Sequence, residues 1–294
     1  MTPKVICYGE ILWDVFPTHT VIGGAPLNVA LRIQSFGIPT AVISRLGKDD
    51  LGNKALAFIV KRQLNADLIQ FDENLETGYV KVILDDSGAA SYEIHKPVAW
   101  DMIQLTNDNK NAVSAADVFV FGSLACRSEI SKKTLLQLLH LSNHAVFDVN
   151  LRPPDYDLSF IVEVISQSHT IKLNDDELDE IADFLGFQDQ TMETQIQLLA
   201  QQTQTTTICV TKGGAGALLF FKGKFYNNNG YQVTVEDTVG AGDSFLAALI
   251  FKLFIKALKP QESLDFACQV GALVASKKGA TTQLTEEDFK KLIS

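Results

Sequence analysis

Short apolar runs alternate along the chain with longer stretches in which apolar residues recur every three or four positions. Lys4–Tyr8, Ala41–Leu46, Val118–Phe121, Ala145–Val149, Thr170–Leu173 and Thr207–Thr211 are β-rich and apolar at successive positions, as strands covered on both faces must be. Between them the spacing turns helical. Leu27, Ala30 and Leu31 run up to Gly37, Leu51, Ala55, Phe58 and Ile59 follow, and Leu135, Leu138 and Leu139 repeat the pattern. Strand then helix, repeated, predicts an α/β fold with a mainly parallel central sheet flanked by helices. Two places break the rhythm. Gly78–Leu84 and Ala89–Glu93 flank the turn Asp85-Asp86-Ser87-Gly88, which reads as a hairpin. With Asp14–Ile22 it predicts a small antiparallel β lid built from about residues 14–22 and 77–98. A second hairpin pattern, Ala217–Val235, turns at Lys222-Gly223-Lys224 and again at Asn227-Asn228-Asn229-Gly230, and is expected at an antiparallel edge of the main sheet. The sequence contains no repeat and no low-complexity tract, so residues 1–294 read as a single α/β domain.

Charge narrows the partners. The 294 residues carry 25 Lys and Arg against 35 Asp and Glu, a net charge of −10, which opposes binding to nucleic acid or to an anionic membrane surface. The longest apolar stretch, Phe245–Leu258, is broken by Lys252 and Lys256 and is too short for a hydrocarbon layer of ~30 Å. Met1-Thr2-Pro3-Lys4 leads straight into Val5 without a signal-peptide pattern, so a cytoplasmic location is expected. Cys7, Cys126, Cys209 and Cys268 form no Cys-x-x-Cys pair and read as buried reduced thiols. His19, His95, His140, His144 and His169 lack metal-ligand spacing and read as surface or packing residues.

The strongest chemical signal is Asp237-Thr238-Val239-Gly240-Ala241-Gly242-Asp243-Ser244, which opens the helical stretch from Phe245. Two glycines let backbone approach a ligand, and the free N–H groups of a helix N-terminus attract an anion. Asp243 is then an anion where an anion should bind. Either Asp243 or Ser244 caps the helix, or Asp243 is a base that takes the proton of an attacking hydroxyl beside a phosphate cradle. There is no Gly-x-x-x-x-Gly-Lys-Ser/Thr loop: Lys48 and Lys224 each follow a glycine but lack the earlier one. Gly23-Gly24-Ala25-Pro26-Leu27-Asn28 is either a plain glycine turn with a proline helix start or a close-approach site in which Gly24 and Asn28 hold a polar ligand. Asp14 reads as a solvated turn residue or as a bidentate acceptor for two sugar hydroxyls. Arg152 contacts phosphate or pairs with Asp148 or Asp155. Asn174 and Glu177 read locally as polar residues at a helix N-terminus.

Together the Gly23–Asn28 and Asp237–Ser244 segments resemble the two signatures of the ribokinase-like (PfkB) carbohydrate kinases. Leu46-Gly47-Lys48-Asp49-Asp50-Leu51-Gly52 and Asn174-Asp175-Asp176-Glu177 are also similar to that family. Gly9–Asp14, Pro97-Val98-Ala99-Trp100 and Asp148–Pro154 look like its fructokinase branch. The resemblance implies the ribokinase-like fold and an ATP-dependent sugar kinase that turns fructose into fructose 6-phosphate. Alternatives are a kinase for ribose or 2-keto-3-deoxygluconate, or a sugar sensor without turnover. A nicotinamide oxidoreductase is disfavoured, because no Gly-x-Gly-x-x-Gly follows the first strand. The resemblance further implies Asp243 as base with Gly240, Ala241 and Gly242 as anion hole. It assigns Asp14, Gly24 and Asn28 to sugar hydroxyls, with Arg152 on the substrate side. Asn174, Glu177, Thr211, Gly213 and Gly216 fall to ATP, with Mg²⁺ reached from Glu177 through water. Asp237 and Val239 fall to a monovalent cation such as K⁺, Val239 offering only its carbonyl. The lid is expected to close over the sugar and to join two copies as a homodimer.

Overall fold

Successive residues of each central strand point into opposite cores. Ile6, Tyr8, Ile43, Phe119, Phe121 and Phe147 pack on one side of the sheet, and Val5, Cys7, Val42, Val118, Val120 and Val146 on the other, which is why these strands are apolar at every position rather than alternating. The computed structural model describes residues 4–84 and 90–293. The first half contains β1 (Val5–Tyr8), β2 (Leu12–Val15), β3 (Thr20–Gly23), α1 (Ala25–Ser35), β4 (Thr40–Gly47), α2 (Asp50–Lys61), β5 (Ile69–Asp72), β6 (Gly78–Leu84), β7 (Ala90–Ile94), α3 (Asn107–Ala115), β8 (Val118–Gly122) and α4 (Glu129–Leu139). The second contains β9 (Ala145–Asp148), α5 (Leu158–Ser166), β10 (Thr170–Asn174), α6 (Asp175–Leu185), α7 (Met192–Thr203), β11 (Thr207–Thr211), β12 (Ala217–Phe221), β13 (Lys224–Asn228), α8 (Ala241–Ile250), α9 (Pro260–Ala275) and α10 (Glu286–Ile293).

The main sheet has nine strands in the order β13-β12-β11-β10-β9-β8-β1-β4-β5. Every pair from β11 across to β5 is parallel, and the β12–β13 hairpin closes one edge antiparallel to β11. The second sheet, β3-β2-β6-β7, is antiparallel at its two outer pairs, while its central pair β2–β6 runs parallel. The turn at Asp85-Asp86-Ser87-Gly88 lies outside the described residues. Among the described residues, no helix is long and apolar enough to cross a membrane.

Both legs of the small hairpin are clamped to the body. At its start, the Thr77 N–H donates to Asp49 Oδ2 at 2.7 Å and the Thr77 hydroxyl to Asp49 Oδ1 at 2.8 Å. A side chain at Gly47 would strike the Thr77 amide. At its end, the Arg127 guanidinium lies 3.9 Å over the Trp100 ring, donates in a fork to Asp101 at 2.8 and 2.9 Å and reaches the His95 carbonyl at 2.7 Å. Thr77, Val98 and Trp100 are therefore buried parts of the body, and of the expected 77–98 the strands β6 and β7 belong to the second sheet, which they share with β2 and β3.

Candidate active site

In open parallel sheets ligands bind beyond the carboxyl ends of the strands. Here those ends carry Glu10 after β1, Asp148 at the end of β9, Asn174 at the end of β10 and Thr211 at the end of β11. The parallel register sets Lys172 directly beside Asp148, and the Lys172 ammonium meets Asp148 Oδ1 at 2.9 Å, both side chains buried. Asp148 Oδ2 has no hydrogen-bond partner among the described residues. Burial works against the Lys172 charge, but the carboxylates of Asp148, Glu177 and Asp243 outweigh it and hold the ammonium above its ordinary range.

Above this pair sits the N-terminus of α8. Gly240 takes the left-handed conformation at φ 75° as N-cap, and no side chain caps the helix, so neither Asp243 nor Ser244 serves as the cap. A Cβ on Gly240 would collide with Ala280, and one on Gly242 would come within 3.4 Å of the Lys172 ammonium. The lysine thus faces the glycine turn from below. The Ala241 N–H already donates to the Thr238 carbonyl at 3.2 Å, whereas Gly242 leaves an open backbone face.

The two ends of the sequence meet at one hydrogen bond. Asn28 Nδ2 donates to Asp243 Oδ2 at 2.8 Å across 215 residues, and one turn later on α1 the Arg32 Nε donates to Ser244 Oγ at 3.1 Å. Residues four apart share a helix face, so α1 presents its Asn28–Arg32 edge to two consecutive residues of α8. Burial raises the Asp243 carboxyl to about 6, Asp148 adding repulsion while Asn28, Lys172 and Arg152 pull it back. Asn28 Oδ1 and Glu10 Oε2 are buried without partners among the described residues. Glu10 Oε1 accepts from the Ala25 N–H at 3.2 Å, and burial lifts its carboxyl to about 7.

The remaining sequence candidates fall around this cluster in distinct ways. Gly24 is required by the backbone: at φ 111° any Cβ would lie 2.4 Å from the Glu10 carbonyl. Asp14, on β2, leans towards Gly23, where a Cβ would sit 3.1 Å from its carboxylate, and partial burial raises its pKa. Arg152 is exposed, donates to the Leu151 carbonyl at 2.9 Å and pairs with neither candidate acid: Asp148 is held by Lys172, and Asp155 by Lys96 and Arg127. Asn174 and Glu177 form a reciprocal capping box at the start of α6. Glu177 also accepts from the Leu151 N–H at 2.8 Å, and burial raises its carboxyl above the ordinary range. Gly213 is open, whereas Gly216 is dictated by packing, a Cβ there falling 2.0 Å from the Asn228 carbonyl. The Asp237 carboxylate is spent on the loop, accepting from Val239 N–H at 3.0 Å and Gly279 N–H at 3.0 Å.

Lys172 and Glu10 are the site residues that sequence reasoning missed. The signal for Lys172 was a lone charge inside the run Thr170–Leu173, and for Glu10 a carboxylate directly after a buried strand.

A half-buried carboxylate held by an asparagine over an uncapped, glycine-shaped helix N-terminus fits phosphoryl transfer to a hydroxyl, and the comparison with known proteins is decisive. The family model for pfkB family carbohydrate kinases matches residues 2–287. The chain belongs to that family. As a sugar kinase it is 28% identical over 324 residues to the probable fructokinase-5 of Arabidopsis thaliana, covering 99% of this chain and 98% of that one. It is 28% identical to a fructokinase of Solanum tuberosum over 96% of this chain and 93% of the relative. The fold matches that of a Vibrio cholerae O395 fructokinase solved with fructose, ADP and calcium, with a TM-score of 0.84 at 23% identity over 100% of this chain and 99% of that one. A Xylella fastidiosa fructokinase with bound ATP superposes with a TM-score of 0.85 at 22% identity, over 100% and 98% of the two chains.

Proposed function

We propose that this kinase transfers the γ-phosphoryl group of ATP to the hydroxymethyl group of fructose, giving fructose 6-phosphate and ADP. The observation that carries this reading is the Asn28–Asp243 contact over the uncapped N-terminus of α8. Asp243, ionised above about pH 6, takes the proton of the attacking hydroxyl, while Gly240, Ala241 and Gly242 turn backbone towards the transferring group. Lys172 adds a fixed positive charge beneath that turn. Asp14, Gly24 and Asn28 hold the sugar hydroxyls, with the free acceptor of Asn28 available for one of them. Arg152 serves the phosphoryl end of the substrate pair, and Thr211, Gly213 and Gly216 shape the nucleotide loop.

Among the described residues no group of three or more acidic, His or Cys side chains forms a metal cage. That fits Mg²⁺, which keeps much of its water and is held largely by substrate phosphates. Asp148 Oδ2, Asn174 and Glu177 offer hard oxygen donors, Glu177 through water because Mg²⁺ sheds its hydration reluctantly. When bound, Mg²⁺ neutralises phosphate charge. With the Asp237 carboxylate occupied, K⁺ would rest on the carbonyls of Asp237 and Val239. The hairpin of 78–94 serves as lid and as homodimer contact, and the enzyme works in the cytoplasm, where ATP and reduced thiols coexist. The test is ADP release against free sugars. Fructose should exceed ribose, glucose and 2-keto-3-deoxygluconate in kcat/KM by about tenfold or more, a difference of ~1.4 kcal/mol. A higher kcat/KM for any of the others would overturn fructose as substrate.

A further inference from the structure

Away from the cleft, a cavity of about 550 Å³ opens between α1, the end of α2 and the segment leading into α10. Two arginines line it. Arg32 is only 4% exposed, yet it forms no ion pair among the described residues. Its Nε and Nη2 go to neutral acceptors, Ser244 Oγ and the Thr282 carbonyl at 2.9 Å, and no hydrogen bond from Nη1 is seen among the described residues. A buried charge without a counter-ion is costly. Arg62, just beyond α2, likewise meets no carboxylate among the described residues; its guanidinium lies 5.6 Å over the Phe58 ring and makes long hydrogen bonds of 3.3 and 3.4 Å to Thr281. Burial together with the charge of Arg62 depresses Arg32 to about 10. Glu286 stands on the exposed rim and pairs with neither arginine.

A chain of net charge −10 here gathers two guanidiniums in one cavity with no acid partner among the described residues, an arrangement that favours an anion. Guanidinium forks match phosphate oxygens in pairs. The opposite wall is apolar, formed by Phe36, Leu284 and Phe289, and the volume is that of a small-molecule site. We propose that this cavity binds a small phosphomonoester, its phosphate on Arg32 and Arg62 and its body against Phe36 and Phe289. Because Arg32 also holds Ser244, the neighbour of Asp243, an occupant there touches the same helix edge that positions the catalytic carboxylate.

The test is calorimetric titration of the protein saturated with a non-hydrolysable ATP analogue, so that the α8 N-terminus is already taken. Glycerol 3-phosphate should show one further saturable site, inorganic phosphate should bind it more weakly, and acetate should not compete. Arg62→Gln should weaken glycerol 3-phosphate by about tenfold or more, the loss of one charged hydrogen-bonding partner, while Arg62→Lys loses less. Neither variant should change kcat or the KM values measured without phosphoester. Absence of a further site in the blocked protein would overturn the proposal, as would unchanged affinity in Arg62→Gln. Inorganic phosphate binding more tightly than glycerol 3-phosphate would overturn the phosphomonoester assignment.

Discussion

Asp243 is held in a state that costs the fold something and suits the role of base proposed for it. Its carboxyl, pushed to about 6 by burial and by Asp148, binds a proton in the folded chain at pH values where the unfolded chain has released it. Stability from this group is therefore fully present below the unfolded value of 3.8, falls as pH rises, and is lost above about 6. Replacing the carboxylate with its neutral isostere should do two things at once. Asp243→Asn should reduce kcat by several orders of magnitude, because the base is gone while the glycine turn remains; retention of more than about a tenth of wild-type kcat, a ~1.4 kcal/mol effect, would show that Asp243 is not the base. At pH 8 the same variant should unfold at higher denaturant, by on the order of 1–2 kcal/mol once the partial exposure of Asp243 is allowed for. The pH profile follows the same sign. kcat/KM of the wild type should drop as pH falls through about 6, and a profile flat down to pH 4.5 would contradict the assignment.

Between neighbouring strands, the pairing of β9 with β10 sets Lys172 against Asp148, and this pair separates structural from chemical roles. Lys172→Met leaves Asp148 buried without its counter-ion and should destabilise by about 3–5 kcal/mol. Lys172→Met with Asp148→Leu should recover most of that stability in thermal unfolding, yet stay impaired in turnover. Full recovery of activity in the double variant would reduce the pair to a packing element. Much of the architecture was legible because the central strands are buried on both faces, so their apolar runs stand out. The Asn174-x-x-Glu177 spacing is legible for a local reason: it is a capping box, written in four residues. β5 escaped notice because an edge strand has little to hide, with Gln70 and Phe71 partly exposed. α8 starts at Ala241, ahead of its apolar run, because its first turn is spent on Gly242, Asp243 and Ser244, and it gives way after Ile250 to a π turn over Phe251–Ile255. Lys172 was illegible as a site residue since only the register of two strands far apart in sequence gives it a partner.

For the molecule as a whole, the hairpin proposed as a lid keeps Val80 and Val82 buried and has two clamped roots, at Thr77 and at Arg127–Trp100. β6 also pairs with β2, the strand that carries Asp14. Replacing Lys81–Glu93 with a short glycine linker spares both roots and should raise the sugar KM and lower the mass in solution. A variant unchanged in both would show that the hairpin is neither lid nor interface. The hydrogen bond between Asn28 and Asp243 bears on the order of events during synthesis. α1 packs along α8, with Leu27, Ala30 and Ile33 in the same core as Leu246 and Ile250, yet 215 residues separate the two contact points. At 5–20 residues per second, roughly 10–40 s pass on the ribosome between them. Throughout that interval the helix that carries Asn28 lacks its cover, and in chains stalled before residue 241 a protease should cut within 25–35 while leaving the released protein intact there. The segment that holds the Asp243 carboxylate in the finished protein is thus one that a chaperone must shield for much of synthesis in the unfinished chain.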